Sequence, residues 1–221
     1  MKRASLWLFV LGLAPLVGAA DNPNVEVMLA APLPLIAGQV PEAAPPRFVL
    51  LEDGRIFVGG TSEILEGRLS GGPLKALRSD VARLRKLKGL ADHLAFGPGE
   101  EEYRLRLAKG REIVAKGDPE RAPFDARPVA SFVQKLLGFD DPSLRLYRPE
   151  RYELTVRPGT LVGGCRSWTL PVPLVDALAA PRVVAAAAVG SWPTGALPAS
   201  VCSGDKSFIV TLRPLLPWER R

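Results

Sequence analysis

The chain has 221 residues, 47% of them apolar, and 29 basic against 23 acidic side chains give it a formal charge of +6. That balance is ordinary for a globular protein and excludes the basic excess of a dedicated nucleic-acid binder. One histidine and two cysteines, with no C-x-x-C spacing, exclude the metal frameworks that spacing alone reveals.

Lys2 and Arg3 precede an apolar run from Leu6 to Val17, and Gly18-Ala19-Ala20 supplies small residues for a signal peptidase. The pattern predicts a signal peptide over residues 1–20. Gly12 and Pro15 interrupt the run, which is short for a membrane span. No Cys follows it to take a lipid, and no later stretch reaches transmembrane length. The mature chain is expected to be a soluble periplasmic or secreted protein without an anchor. Losing Lys2 and Arg3 lowers its charge from +6 to +4.

Residues 21–46 are rich in Pro and Ala and read as an extended leader. Within it Val25, Val27 and Leu29 alternate, which allows a short edge strand. Arg47 to Gly60 then reads as a hairpin around which the rest is organised. Asp53-Gly54 suits a two-residue turn. That turn sets Leu51 opposite Ile56 and Val49 opposite Val58 on one face, with Phe48, Leu50 and Phe57 on the other. Both faces are apolar, so each needs a cover: helices on one side, the second half of the chain or a partner on the other.

Ile64 to Leu69 reads as a third strand. Pro73 suits the first position of a helix whose Leu74, Leu77, Val81, Leu84 and Leu87 form one apolar stripe, with Gly89 as its cap. The opposite face is basic, through Lys75, Arg78, Arg83, Arg85, Lys86 and Lys88, and reads as a solvated surface. Ala91 to Glu102 is a loop. Tyr103, Leu105 and Leu107 alternate as a strand that Lys109-Gly110 turns back into Ile113 to Ala115. Pro128 opens a second helix with Val129, Phe132, Val133, Leu136 and Leu137 on one side, closed by Gly138. Residues 47–140 thus form an α+β domain, an antiparallel sheet with two helices on one face.

Asp140 to Ser143 reads as the boundary to a smaller, loop-rich β unit over residues 144–221. Its pieces are a strand with Tyr152, Leu154 and Val156, a helical segment from Pro173 to Ala179, and a small-residue strand from Arg182 to Val189, buried on both sides. A loop from Gly190 to Gly204 leads to a last strand, Ser207 to Leu212. In an exported chain Cys165 and Cys202 are expected to pair, stabilising the unit by about 3–4 kcal/mol.

Asp53-Gly54, Leu69-Ser70, Tyr147 to Tyr152, Trp168 with Leu170-Pro171, and Arg213 to Pro217 together resemble secreted bacterial proteins of uncharacterised function, a resemblance that brings no activity with it. The element order over residues 47–139 is similar in topology to emfourin, a small inhibitor of thermolysin-like metalloproteases. That similarity implies peptidase inhibition but transfers no residue.

The catalytic patterns tested lack a residue type or a spacing. His93 stands alone, without an H-E-x-x-H or triad frame, and no G-x-S-x-G elbow exists. Ser203 to Lys206 matches S-x-x-K, but Gly204-Asp205 makes it a turn. Glu100-Glu101-Glu102 alternate in direction, and the glycine pairs at Gly59, Gly71 and Gly163 lack a phosphate-binding frame. The expectation is a non-catalytic exported binding protein with no cofactor or metal, acting on a protein partner. A peptidase inhibitor or an envelope accessory protein are its two versions. Trp168, Trp192 and Trp218 are the candidate partner-binding residues. The alternative is a secreted hydrolase built on carboxylates such as Asp118, Glu120 or Asp125.

Overall fold

The computed structural model describes residues 25–31, 45–59, 63–87, 90–161, 164–195 and 197–219. The expected signal peptide and the expected roles of Gly60, Lys88, Gly89 and Gly163 lie outside them. The protein is α+β: a large, mainly antiparallel sheet carries helices on one face, and a second, four-stranded sheet contains the disulfide.

The first sheet begins with β1 (Val25–Ala30), β2 (Phe48–Leu51), β3 (Arg55–Gly59) and β4 (Ile64–Arg68). It continues with β5 (His93–Ala95), β6 (Glu102–Leu107), β7 (Arg111–Lys116) and the two-residue β8 (Arg145–Leu146). Their spatial order is β5-β7-β6-β1-β2-β3-β4-β8. The alternating Val25, Val27 and Leu29 therefore do not sit at an edge. β1 runs between β2 and β6 and buries Val27 and Leu29 completely. Two further strands fall where sequence reads loop or boundary: β5, the one parallel neighbour of β7, and β8 beside β4.

The hairpin differs from its expected register by one residue. Leu50 faces Ile56, Val49 faces Phe57 and Phe48 faces Val58. The Gly54 N–H donates to the Leu51 carbonyl, and Gly54 adopts φ +83°. Glu52-Asp53-Gly54 is thus a three-residue loop, with a tight turn followed by a left-handed glycine, in place of a two-residue turn. A one-residue slip exchanges the faces of a strand. Phe48, Leu50 and Ile56 now look one way, and Val49, Leu51 and Phe57 the other.

The first face is covered by α1 (Gly71–Lys86) and α2 (Arg127–Leu137). Helix α1 starts two residues before Pro73, which its first turn tolerates because those N–H groups have no intrahelical acceptor. Leu77, Val81 and Leu84 from α1 and Val129, Phe132, Val133 and Leu136 from α2 close a core over Val27, Leu29, Phe48, Leu50, Ile56, Leu105 and Ile113. An extra residue in β1, Glu26, breaks the pairing with β2, and its carboxylate accepts from Arg78 of α1 at 2.9 Å. Arg78 also donates to the Glu52 carbonyl at 2.6 Å, fixing the helix to the hairpin tip. Asp80 joins the two helices by accepting from Lys135 at 2.7 Å.

The second sheet has the order β10-β9-β12-β11, from β9 (Arg151–Pro158), β10 (Arg182–Ala185), β11 (Ala199–Ser203) and β12 (Lys206–Pro214), with α3 (Leu174–Ala179) beside it. The Arg182 stretch is an edge strand in which only Val184 is buried, not a strand covered on both sides. Its alanines continue as a short 3₁₀ turn. Part of the expected Gly190–Gly204 loop is β11, turned tightly into β12 through Gly204-Asp205. Cys165 bridges to Cys202 of β11, with Cα atoms 5.4 Å apart.

The segments that flank the second sheet, before β9 and after β12, supply the cover for the opposite face of the first. Leu216, just after β12, is buried among Val49, Leu51, Phe57 and Ile64, with Tyr147 and Trp218 packed alongside. Arg213 sets this segment in place by pairing with Glu153 and, through its Nη1, with the carboxylate of Glu219. Glu219 in turn accepts from the Leu216 N–H. Among the described residues no helix is long and apolar enough to cross a membrane.

Candidate functional site

The three candidate tryptophans, Trp168, Trp192 and Trp218, turn their rings inward or onto one another. Trp192 is buried and donates to Thr169 Oγ1 at 2.9 Å, and Trp168 donates to the Val172 carbonyl at 2.7 Å. Their rings meet edge to face at 5.9 Å. Trp218 packs edge to face on Phe57 at 5.2 Å.

The carboxylates of the hydrolase alternative occupy one connection. Asp118 caps the turn Pro119–Arg121 by accepting from the Glu120 N–H at 2.9 Å, and its other oxygen pairs with Arg121. Glu120 and Asp125 are exposed. His93 lies on the exposed edge strand β5. Glu102 lies beyond it on β6, where a hydrogen bond from Arg104 holds its carboxyl below the usual range. Ser203 and Lys206 face each other across the β11–β12 turn, so the S-x-x-K spacing does not fall on a helix.

Two concavities stand out. A cleft of about 350 Å³ where the sheets meet is lined by Ile64, Tyr147, Arg148, Tyr152 and Pro214. Its phenols are committed: Tyr147 donates to the Leu215 carbonyl at 3.0 Å, and Tyr152 hydrogen-bonds Thr194. Burial, with Glu66, Glu150 and Glu219 nearby, pushes Tyr147 up to about 12. This cleft is a joint whose polar groups hold the protein together.

The other is a groove of about 530 Å³ between α1 and α2. The helices run antiparallel, so the C-terminal turns of α1 (Leu84, Leu87) lie against the N-terminal turns of α2 (Pro128, Phe132). These four side chains line an apolar trough, with Arg83, Arg127 and Lys135 around it. Phe124, in the turn that leads into α2, stands beside it with 86% of its surface exposed. Leaving a phenylalanine in water forgoes about 2–3 kcal/mol of burial. The helical stripe of α2 runs back from Val133 through Val129 to Ala126 and passes Phe124 by, so nothing in the core claims its ring. Sequence reasoning missed this site. The available signal was a large aromatic residue between Pro123 and Asp125, out of phase with the helix that follows. No family model, curated protein or solved structure matches the chain, and the groove is therefore read from its own residues.

Proposed function

We propose that this is an exported, non-catalytic binding protein that holds a protein partner through the α1–α2 groove, with Phe124 as its anchor. The observation that carries the reading is Phe124 itself, exposed beside an apolar trough large enough to take a side chain. Aromatic anchors next to a pocket dominate binding energy in protein interfaces. A surface disulfide supports work in an oxidising compartment.

The test is paired capture. Wild type and Phe124→Ser are immobilised and exposed to envelope and medium fractions of the source cell. A stoichiometric partner retained by wild type and lost from the variant, at an unchanged melting temperature, is the expected result. Identical retention by both proteins overturns the assignment of the groove.

A further inference from the structure

We infer that the segment seated in the α1–α2 groove is acidic, with an apolar side chain in the trough and a carboxylate within a few residues of it bound by Arg127. This rests on the binding function proposed for the groove and specifies the chemistry of its partner.

The charge around the trough is one-sided. Arg83, Arg127 and Lys135 surround it, against Asp80 alone. Asp80 is already spent, since Arg83 reaches one of its oxygens at 3.1 Å and Lys135 the other at 2.7 Å. The Arg127 side chain makes no ion pair or hydrogen bond among the described residues, its backbone N–H alone donating, to the Pro123 carbonyl. The Lys86 side chain, on a neighbouring hollow that shares Arg83 and Leu87 with the groove, has none either. An arginine at this position presents a planar fork that fits a carboxylate with two parallel hydrogen bonds. Several arginines elsewhere are matched by a carboxylate: Arg55 by Asp53, Arg78 by Glu26, Arg104 by Glu102. Arg127 thus stands beside the apolar trough with its guanidinium unmatched among the described residues.

A peptide fits this arrangement better than a lipid surface does. The trough is concave, so a protruding side chain fills it while a flat headgroup layer leaves it empty.

The experiment pans a random peptide library displayed on phage against protein produced from the full chain. Fluorescence anisotropy then measures the enriched peptides on wild type, Phe124→Ser and Arg127→Glu. The expected peptides carry Phe, Leu or Trp with Asp or Glu close by. Their binding should weaken about tenfold on Arg127→Glu and several-fold between about 50 and about 500 mM salt. A copy of the peptide with Lys in place of its acidic residues should prefer Arg127→Glu over wild type. Melting temperatures equal to wild type show that both variants fold.

Peptides that need Phe124 but are neutral or basic, and ignore both salt and Arg127→Glu, overturn the acidic partner and leave the groove's binding function standing. Finding no Phe124-dependent peptide, while Phe124 drives retention on phosphatidylglycerol vesicles or self-association in sedimentation, overturns the acidic-peptide inference together with the partner proposed for the groove.

Discussion

Phe57, on the central hairpin, and Trp218, three residues from the end of the sequence, meet edge to face with ring centroids 5.2 Å apart. Tyr147 approaches the same Phe57 ring at 5.3 Å and 88°. One buried ring therefore receives both the chain leaving the first sheet and the chain leaving the second. Such pairs add about 0.5–1.5 kcal/mol beyond their buried area. Phe57→Ala should cost about 3–5 kcal/mol and Trp218→Ala about 2–3, the indole being partly exposed. The double variant should lose less than the sum by about 1 kcal/mol, read from chemical denaturation. Strict additivity would mean that the rings share a cavity without interacting.

Tyr147 makes stability fall in alkali. Its phenol is held up to about 12 by burial, while in the unfolded chain it titrates near 10. Below the unfolded value both states are protonated and the contribution is complete. Between the two values the unfolded chain ionises first, so up to about 2–3 kcal/mol is lost as pH rises. Tyr147→Phe loses the hydrogen bond to Leu215, about 1 kcal/mol at neutral pH, but is free of that titration. The stability gap between the two proteins should narrow from about pH 9 to about pH 11. Phenolate absorbance should place Tyr147 last among the three tyrosines, all of which burial raises.

The bridge between Cys165 and Cys202 closes a loop with a sequence separation of 37. Replacing both by Ser should cost about 3–4 kcal/mol, measured by urea unfolding against wild type kept oxidised. Thiol titration of denatured, unreduced protein should find no free cysteine.

Two glycines with the same left-handed backbone should respond differently to substitution. A Cβ on Gly54, at φ +83°, would stand 2.7 Å from the Leu69 carbonyl oxygen. A Cβ on Gly110, at φ +80°, would meet nothing within 4 Å. Gly110→Ala should cost about 1 kcal/mol, and Gly110→Asn less, because asparagine tolerates this conformation. Gly54→Ala should cost about 2 kcal/mol or more, with no rescue by Asn. Equal melting temperatures for Gly54→Asn and Gly110→Asn would refute the steric account.

The sequence by itself determined that the central hairpin needs two covers, that two amphipathic helices follow it, and that Cys165 pairs with Cys202. Each of these rests on patterns that local chemistry enforces: alternation along a strand, three- and four-residue steps along a helix, and two cysteines with no other partner. Asp53-Gly54 suits both a two-residue and a three-residue loop, so turn chemistry alone left two registers open. The observed register puts Phe48, Leu50 and Ile56 under the helices, and Val49, Leu51 and Phe57 toward Leu216. The interior place of β1, the parallel strand at His93 and the docking of Trp218 depend on partners far along the chain. The groove was hidden for the same reason. Leu84, Leu87, Pro128 and Phe132 became its lining, and Phe124 its exposed flank, only once α1 and α2 lay antiparallel on one face of the sheet.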